Sequence, residues 1–336
     1  MKTYMPLNGL RWSRNSGSAN CDMPQSAVFG RPGGGEIDLS KDKVLSIRGL
    51  LAVFIVVHHC SFTVNNIICE YVFGDIGMWI CGIFFMQSGY ALGVGTDKYI
   101  RMNAAVYFRK RVCKIFFDVL VLSLLYQCLQ LGMGQYDIIE SLCKLSIGNT
   151  SGLLPFSWFI WELILLYVIY YISNKFKFRT LALWILTLLL MVIFYSLHFG
   201  CEWYMSTLSF PLGVLIARCN LNLTKKRLIV ISILSLMVYA LYKVLNIGQI
   251  YVLVVPILAM SLNYLLSNSM LCRYTVLNKL ADISFYIYMF QGFAFFTINR
   301  TSVYQYPLLY IGLVIILSVV MSLTYVSLRN RFIRKR

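Results

Sequence analysis

"SIRGLLAVFIVVHHC", residues 46–60, opens on an arginine, runs through nine uncharged and mostly apolar residues, and closes on two adjacent histidines. The chain has only one other histidine, His198. A run of this length and character reads as a helix inside lipid, where every backbone N–H and C=O needs a partner within its own segment. Helical residues advance about 100° and about 1.5 Å each, so His59 lies about 20° off the line of Arg48 and about 16 Å along the axis. His58 falls about 80° to one side. Arg48 and His59 therefore share one stripe, with Arg48 near a membrane surface and His59 deep in the span. Two readings of this pair stand at this point. One is a substrate path from the inner face toward a histidine able to act as a base near neutral pH. The other is an interfacial arginine plus a buried histidine bonded to a neighbour.

The rest of the chain agrees with lipid as solvent. Of 336 residues, 59% are hydrophobic and 13% are charged, against about 45–50% and about 25% in soluble domains. Ten candidate spans follow: 45–65, 73–95, 112–131, 155–173, 180–198, 203–219, 227–246, 250–268, 280–298 and 306–328. The expected fold is an all-α integral membrane protein of about ten transmembrane helices with both termini cytoplasmic. A flexible polar tail (1–43) precedes a membrane domain (44–329), and a short basic tail (330–336) follows it. Basic residues favour the cytoplasmic side of short loops. With the N-terminus inside, only Lys144, Lys243 and Arg300 of the 30 lysines and arginines fall outside. An error in the number of spans would scramble that division. The same distribution accounts for most of the net charge of +17 without nucleic acid, because the basic residues form no single stripe.

Several sites are not expected. No secretory leader is apparent at the N-terminus. The Gly-rich "GRPGGGE" (30–36) lacks the Lys-Ser/Thr ending of a phosphate loop. Ten scattered cysteines show no metal-ligand spacing, so no metal is expected; Cys69, Cys143 and Cys201 fall in expected outer loops, where a disulfide is possible.

Ionisable groups inside spans are costly and mark function by default. They are Arg48, His58, His59, Arg111, Asp118 and Glu162, with Gln87, Ser88, Gln127 and Gln291 as polar company. Asp118 follows Lys114 by four residues and Arg111 by seven, so local pairing is expected. Glu162 lies one turn after Trp158 on the same face, where it would orient His59, bind hydroxyls or pair with a basic residue. Gly89 reads as a close helix contact. Trp158 is read either as an interface anchor or as a ring for stacking on sugar, and His198 as an interface histidine.

"RGLLAVFIVVHH" resembles the first helix of the membrane acyltransferase-3 family, multipass O-acyltransferases of bacterial surface sugars, whose Arg and His are separated by ten residues. That spacing selects Arg48 and His59. In order along the chain, "FFMQSGYALG" (84–93), "YFRKRVCKIF" (107–116), "WFIWELILLYVIYY" (158–171) and "ISFYIYMFQG" (283–292) resemble further segments of that family. Two departures stand out: Gln291 replaces a histidine, and the proline after the basic run is absent. The resemblance implies transfer of an acyl group, acetyl above others, to a glycan or lipid-linked sugar hydroxyl at the bacterial inner membrane. Acyl-CoA would be a co-substrate, with no bound cofactor. His59 would be the base, with Glu162 as a second catalytic candidate. Arg48, Arg109 and Arg111 would hold the phosphates of coenzyme A, since the guanidinium fork suits phosphate; Gln87, Ser88, Trp158 and Gln291 would line the site. Arg109 and Arg111 are equally accounted for as cytoplasmic-side charges. Two other classes are open: a transporter of a sugar, lipid or small acid, against which the lack of an internal repeat counts, and a non-catalytic relative that binds acyl groups.

Overall fold

The computed structural model describes residues 41–64, 73–132, 154–219, 224–245, 251–267, 269 and 275–334. Among them there is no strand, and ten helices of eleven residues or more follow one another. These are α1 (Lys41–Ser61), α2 (Ile76–Val94), α3 (Ala104–Gly132), α4 (Trp158–Ser173), α5 (Arg179–Ser196), α6 (Ser209–Cys219), α7 (Lys225–Leu245), α8 (Tyr251–Ser267), α9 (Thr275–Ile298) and α10 (Pro307–Arg334). By length and composition, α1, α2, α3, α5 and α10 are long and apolar enough to cross a membrane; α4 and α8 are apolar but shorter. Helix α1 begins at Lys41 and α10 runs to Arg334, so the limits expected at 43 and 330 both fall inside helices. The expected tail 1–43 otherwise lies outside the described residues.

The sixth expected span, 203–219, is broken. A short helix, Glu202–Met205, is followed by a separate α6 of 11 residues. Pro211 sits in the first turn of α6, where its missing N–H has no intrahelical acceptor to lose. At about 1.5 Å per residue α6 is about 16 Å long, roughly half the thickness of the hydrocarbon core. Helix α3 also departs from a plain span. It starts at Asn103, whose side chain caps the amide of Ala105 (2.9 Å), and contains a π-helical turn over Arg109–Cys113. That turn contains Arg109, Lys110 and Arg111 of the basic run, after which the family resemblance leads one to expect a proline.

Of the five long apolar helices, α1 and α2 lie innermost, with 61% and 72% of their apolar windows buried, against 22% for α3 and α5 and 17% for α10. Phe117, Leu124, Leu181, Val192 and Leu308 are exposed on these outer helices, as contact with lipid tails would require. Helix α2 packs against α6, α8 and α1; α1 packs against α9, and α9 against α10. The α2–α6 seam depends on small residues. A Cβ on Gly89 would run into the Phe210 carbonyl, and one on Gly213 into the Met86 carbonyl. Without a hydrophobic drive between helices in lipid, such close backbone approach is what supplies packing energy.

Asp118 pairs with a different partner from the local one expected. Its Oδ2 lies 3.4 Å from Arg329 Nη2 of α10 and accepts a hydrogen bond from Tyr286 of α9 (3.1 Å). A carboxylate on the buried side of α3 meets the helices packed there, whereas Arg111 is turned by the π-helical segment toward Tyr99, to which it donates.

Candidate active site

A cavity of about 420 Å³ lies where α1 ends. Ligand sites for small molecules typically span about 300–1,000 Å³. His58 and His59 of α1, Gly77 and Cys81 of α2, Trp158 of α4 and Tyr288 of α9 form its body; Asp75, Phe156 and Cys201 come from the connections, and Glu202 opens the short helix Glu202–Met205. His59 sits in the last turn of α1, two residues before the helix stops at Ser61.

His59 is 9% exposed and held on two sides. Its Nδ1 lies 3.0 Å from Gln291 Oε1 on α9. An amide oxygen only accepts, so Nδ1 carries the proton and Nε2 keeps its lone pair. The ring also stacks on Phe156, centroids 3.9 Å apart. Phe156 has φ 63, a left-handed conformation uncommon for any residue other than glycine and an outlier for a bulky one. Its carbonyl accepts a hydrogen bond from the Tyr288 hydroxyl. Strained backbone of this kind persists where surrounding structure over-determines it, as at active sites. His58 donates Nδ1–H to the Phe73 carbonyl (2.8 Å), and its ring fills the space a Cβ on Gly77 would need. It ties the α1–α2 connection to the cavity wall beside His59.

Arg48 shares the stripe but not the cavity. Its Nε donates to Gln87 Oε1 of α2 (3.0 Å), and Gln87 Nε2 donates to Asn263 Oδ1 of α8 (2.7 Å). The two terminal guanidinium nitrogens have no partner among the described residues. The network holds the guanidinium by one edge and leaves its bidentate fork available. So the structure joins Arg48 to Gln87 and His59 to Gln291, on different neighbouring helices.

The other expected site residues are placed as follows. Glu162 is fully buried, with Oε1 accepting from Thr207 (2.7 Å) and Oε2 without a partner among the described residues. It lies within electrostatic reach of the wall residues Cys81 and Tyr288, but the orienting bond to His59 comes from Gln291, not from Glu162. Trp158 lines the cavity. Ser88 is buried in α2, outside the cavity wall. Arg109 is exposed, whereas Arg111 is buried against Tyr99. His198 is exposed with φ 58, one turn before the loop that supplies Cys201 and Glu202. Cys201 is a free thiol; Cys69 and Cys143 lie outside the described residues. Among the described residues no cluster suits a metal ion.

Sequence reasoning missed Phe156, Tyr288, Asn263, Asp75 and Glu202. Asn263 had a signal, an amide inside the apolar run of α8. Phe156 had none, because a positive φ at a phenylalanine leaves no mark in composition or period.

A family model described as an acyltransferase domain, that of the acyltransferase-3 family, matches residues 45–326. No curated protein and no solved structure matches the chain.

Proposed function

Because the chain belongs to the acyltransferase-3 family, we propose that it transfers an acetyl or other short acyl group from acyl-CoA to a hydroxyl of a cell-surface or lipid-linked glycan. The observation that carries this reading is the state of His59. Gln291 Oε1 faces Nδ1, which leaves Nε2 as the basic nitrogen of a residue that lines a cavity of substrate size. In the proposed reaction Nε2 takes the acceptor hydroxyl proton as the oxygen attacks the thioester carbonyl. The C–S bond breaks, the imidazolium returns the proton to the leaving thiolate, and ester and free CoA result. A positioned base of this kind contributes about 10²–10⁴-fold.

Arg48 takes the donor phosphates in this reading, its fork held ready by Gln87 and Asn263. It lies about 16 Å from His59 along α1, which separates the nucleotide from the reacting thioester. Arg109 is exposed and can assist; Arg111 is already engaged by Tyr99. Trp158 gives an acceptor sugar a ring to stack on. Glu162 acts on the wall through Cys81 and Tyr288, outside direct contact with substrate. The proposed setting is the bacterial inner membrane, with the helical bundle embedded in it and both ends cytoplasmic. In membranes containing His59→Ala, transfer of labelled acetyl from acetyl-CoA to surface glycan is expected to vanish while the protein accumulates normally. Wild-type transfer by that variant refutes the mechanism.

A further inference from the structure

The polar lining of the cavity has a sign. Asp75 and Glu202 stand on its wall, and no lysine or arginine does so among the described residues. Asp75 is within electrostatic reach of His58. The exposed Glu202 carboxylate folds back over Gly200, where a Cβ would collide with it. The chain as a whole is +17, so the charged side chains on this wall are opposite in sign to the molecule. A cleft with one sign of charge and low-dielectric walls focuses its field and changes local ion concentrations about 10–10³-fold.

We propose that this cavity admits an uncharged polyhydroxy acceptor and excludes anionic ones, with Glu202 and Asp75 as the residues that set the selection. This rests on the acyl-transfer reading of the His59 cavity. Carboxylates accept hydrogen bonds from sugar hydroxyls, and Trp158 and Phe62 on the same wall offer apolar faces to a sugar ring. A uronic acid or a phosphorylated sugar brings a second negative charge to the same wall, and like-charge juxtaposition suppresses wrong partners. The same field keeps the nucleotide of the donor out. Its phosphates belong at the Arg48 end, and only the acyl-bearing arm reaches His59.

Cys201, a free and exposed thiol on the cavity wall, allows the field to be measured without catalysis. The full-length protein in nanodiscs is treated with a cationic (trimethylammonium-ethyl) or an anionic (sulfonatoethyl) methanethiosulfonate. Modification of Cys201 is followed by peptide mass spectrometry. The ratio of the two rates cancels the thiolate fraction. Relative to a small thiol in solution, the cationic reagent is expected to be favoured at Cys201 by about tenfold or more, and Asp75→Asn with Glu202→Gln is expected to erase the excess. A ratio equal to that of the free thiol, or an excess surviving in the double variant, overturns the inference. In parallel, methyl glucoside is expected to accept labelled acetyl in preference to methyl glucuronide. Equal use of both overturns the selection even where the labelling excess holds. Transfer to neither sugar, with the excess present, counts against the acyl-transfer reading and leaves the anion-excluding cavity standing.

Discussion

Gln291→Leu isolates the hydrogen bond on which the basicity of His59 depends. In the wild type, Gln291 Oε1 accepts Nδ1–H at 3.0 Å, and both residues are buried. Leucine has nearly the same volume and no acceptor. The Nδ1–H is then left unpaired in a dry site, or the proton moves to Nε2 and the base is lost. An unsatisfied buried donor costs about 1–3 kcal/mol, which lowers turnover about 5-fold to 150-fold. The fold is expected to tolerate the change, because Gln291 Nε2 has no hydrogen-bond partner among the described residues and the substitution removes that buried amide. Gln291→Glu supplies the control, since a carboxylate oxygen accepts the same bond, and activity is expected to persist. The assay is the initial rate of acetyl transfer in membranes at saturating acetyl-CoA, normalised to the quantity of protein. The donor KM is expected to stay constant, because Arg48 is bonded elsewhere. A Leu variant within about twofold of the wild-type turnover, at equal abundance, refutes the assignment of Gln291 as the residue that sets the tautomer.

Arg329→Ala is expected to remove the ion-pair partner of Asp118, whose side chain is 3% exposed, and, with Tyr286 still donating to the carboxylate, to destabilise the protein by about 1–3 kcal/mol. Thermal unfolding in detergent reads the loss. Adding Asp118→Asn should recover part of it, and no recovery means the pair is not the cause. Phe156→Gly removes a side chain from a backbone with φ 63, relieving strain on the order of 1–3 kcal/mol, but it also removes the stack on His59. Thermal stability should hold or rise while turnover falls, whereas Phe156→Ala should lose both. Wild-type turnover in the glycine variant would show that the stack does not position His59.

Much of this protein was legible in the chain itself. Ten apolar runs and the cost of unpaired backbone groups in lipid led to an all-helical fold, and the ordered segments from Arg48 to Gln291 led to the family that the match over 45–326 shows. The close contact at Gly89 was legible too, because small residues in apolar helices have few other uses. The break before α6 was not, since 203–219 is apolar enough to read as one run while Pro211 sets where its second helix can begin.

Sequence by itself determined what each helix is and which residues share its face, because backbone bonds within a helix reach only four residues and periodicity follows from them. That was enough to align Arg48 with His59. Tertiary structure decided what each face meets. His59 and Gln291 are 232 positions apart, Asp118 finds Arg329 in place of the nearby Lys114 or Arg111, and Phe156 takes a conformation no local preference would give it. Those choices are made when helices pack and buried polar groups must find partners across the bundle, so they depend on which helix lies alongside and not on the residues next in the chain.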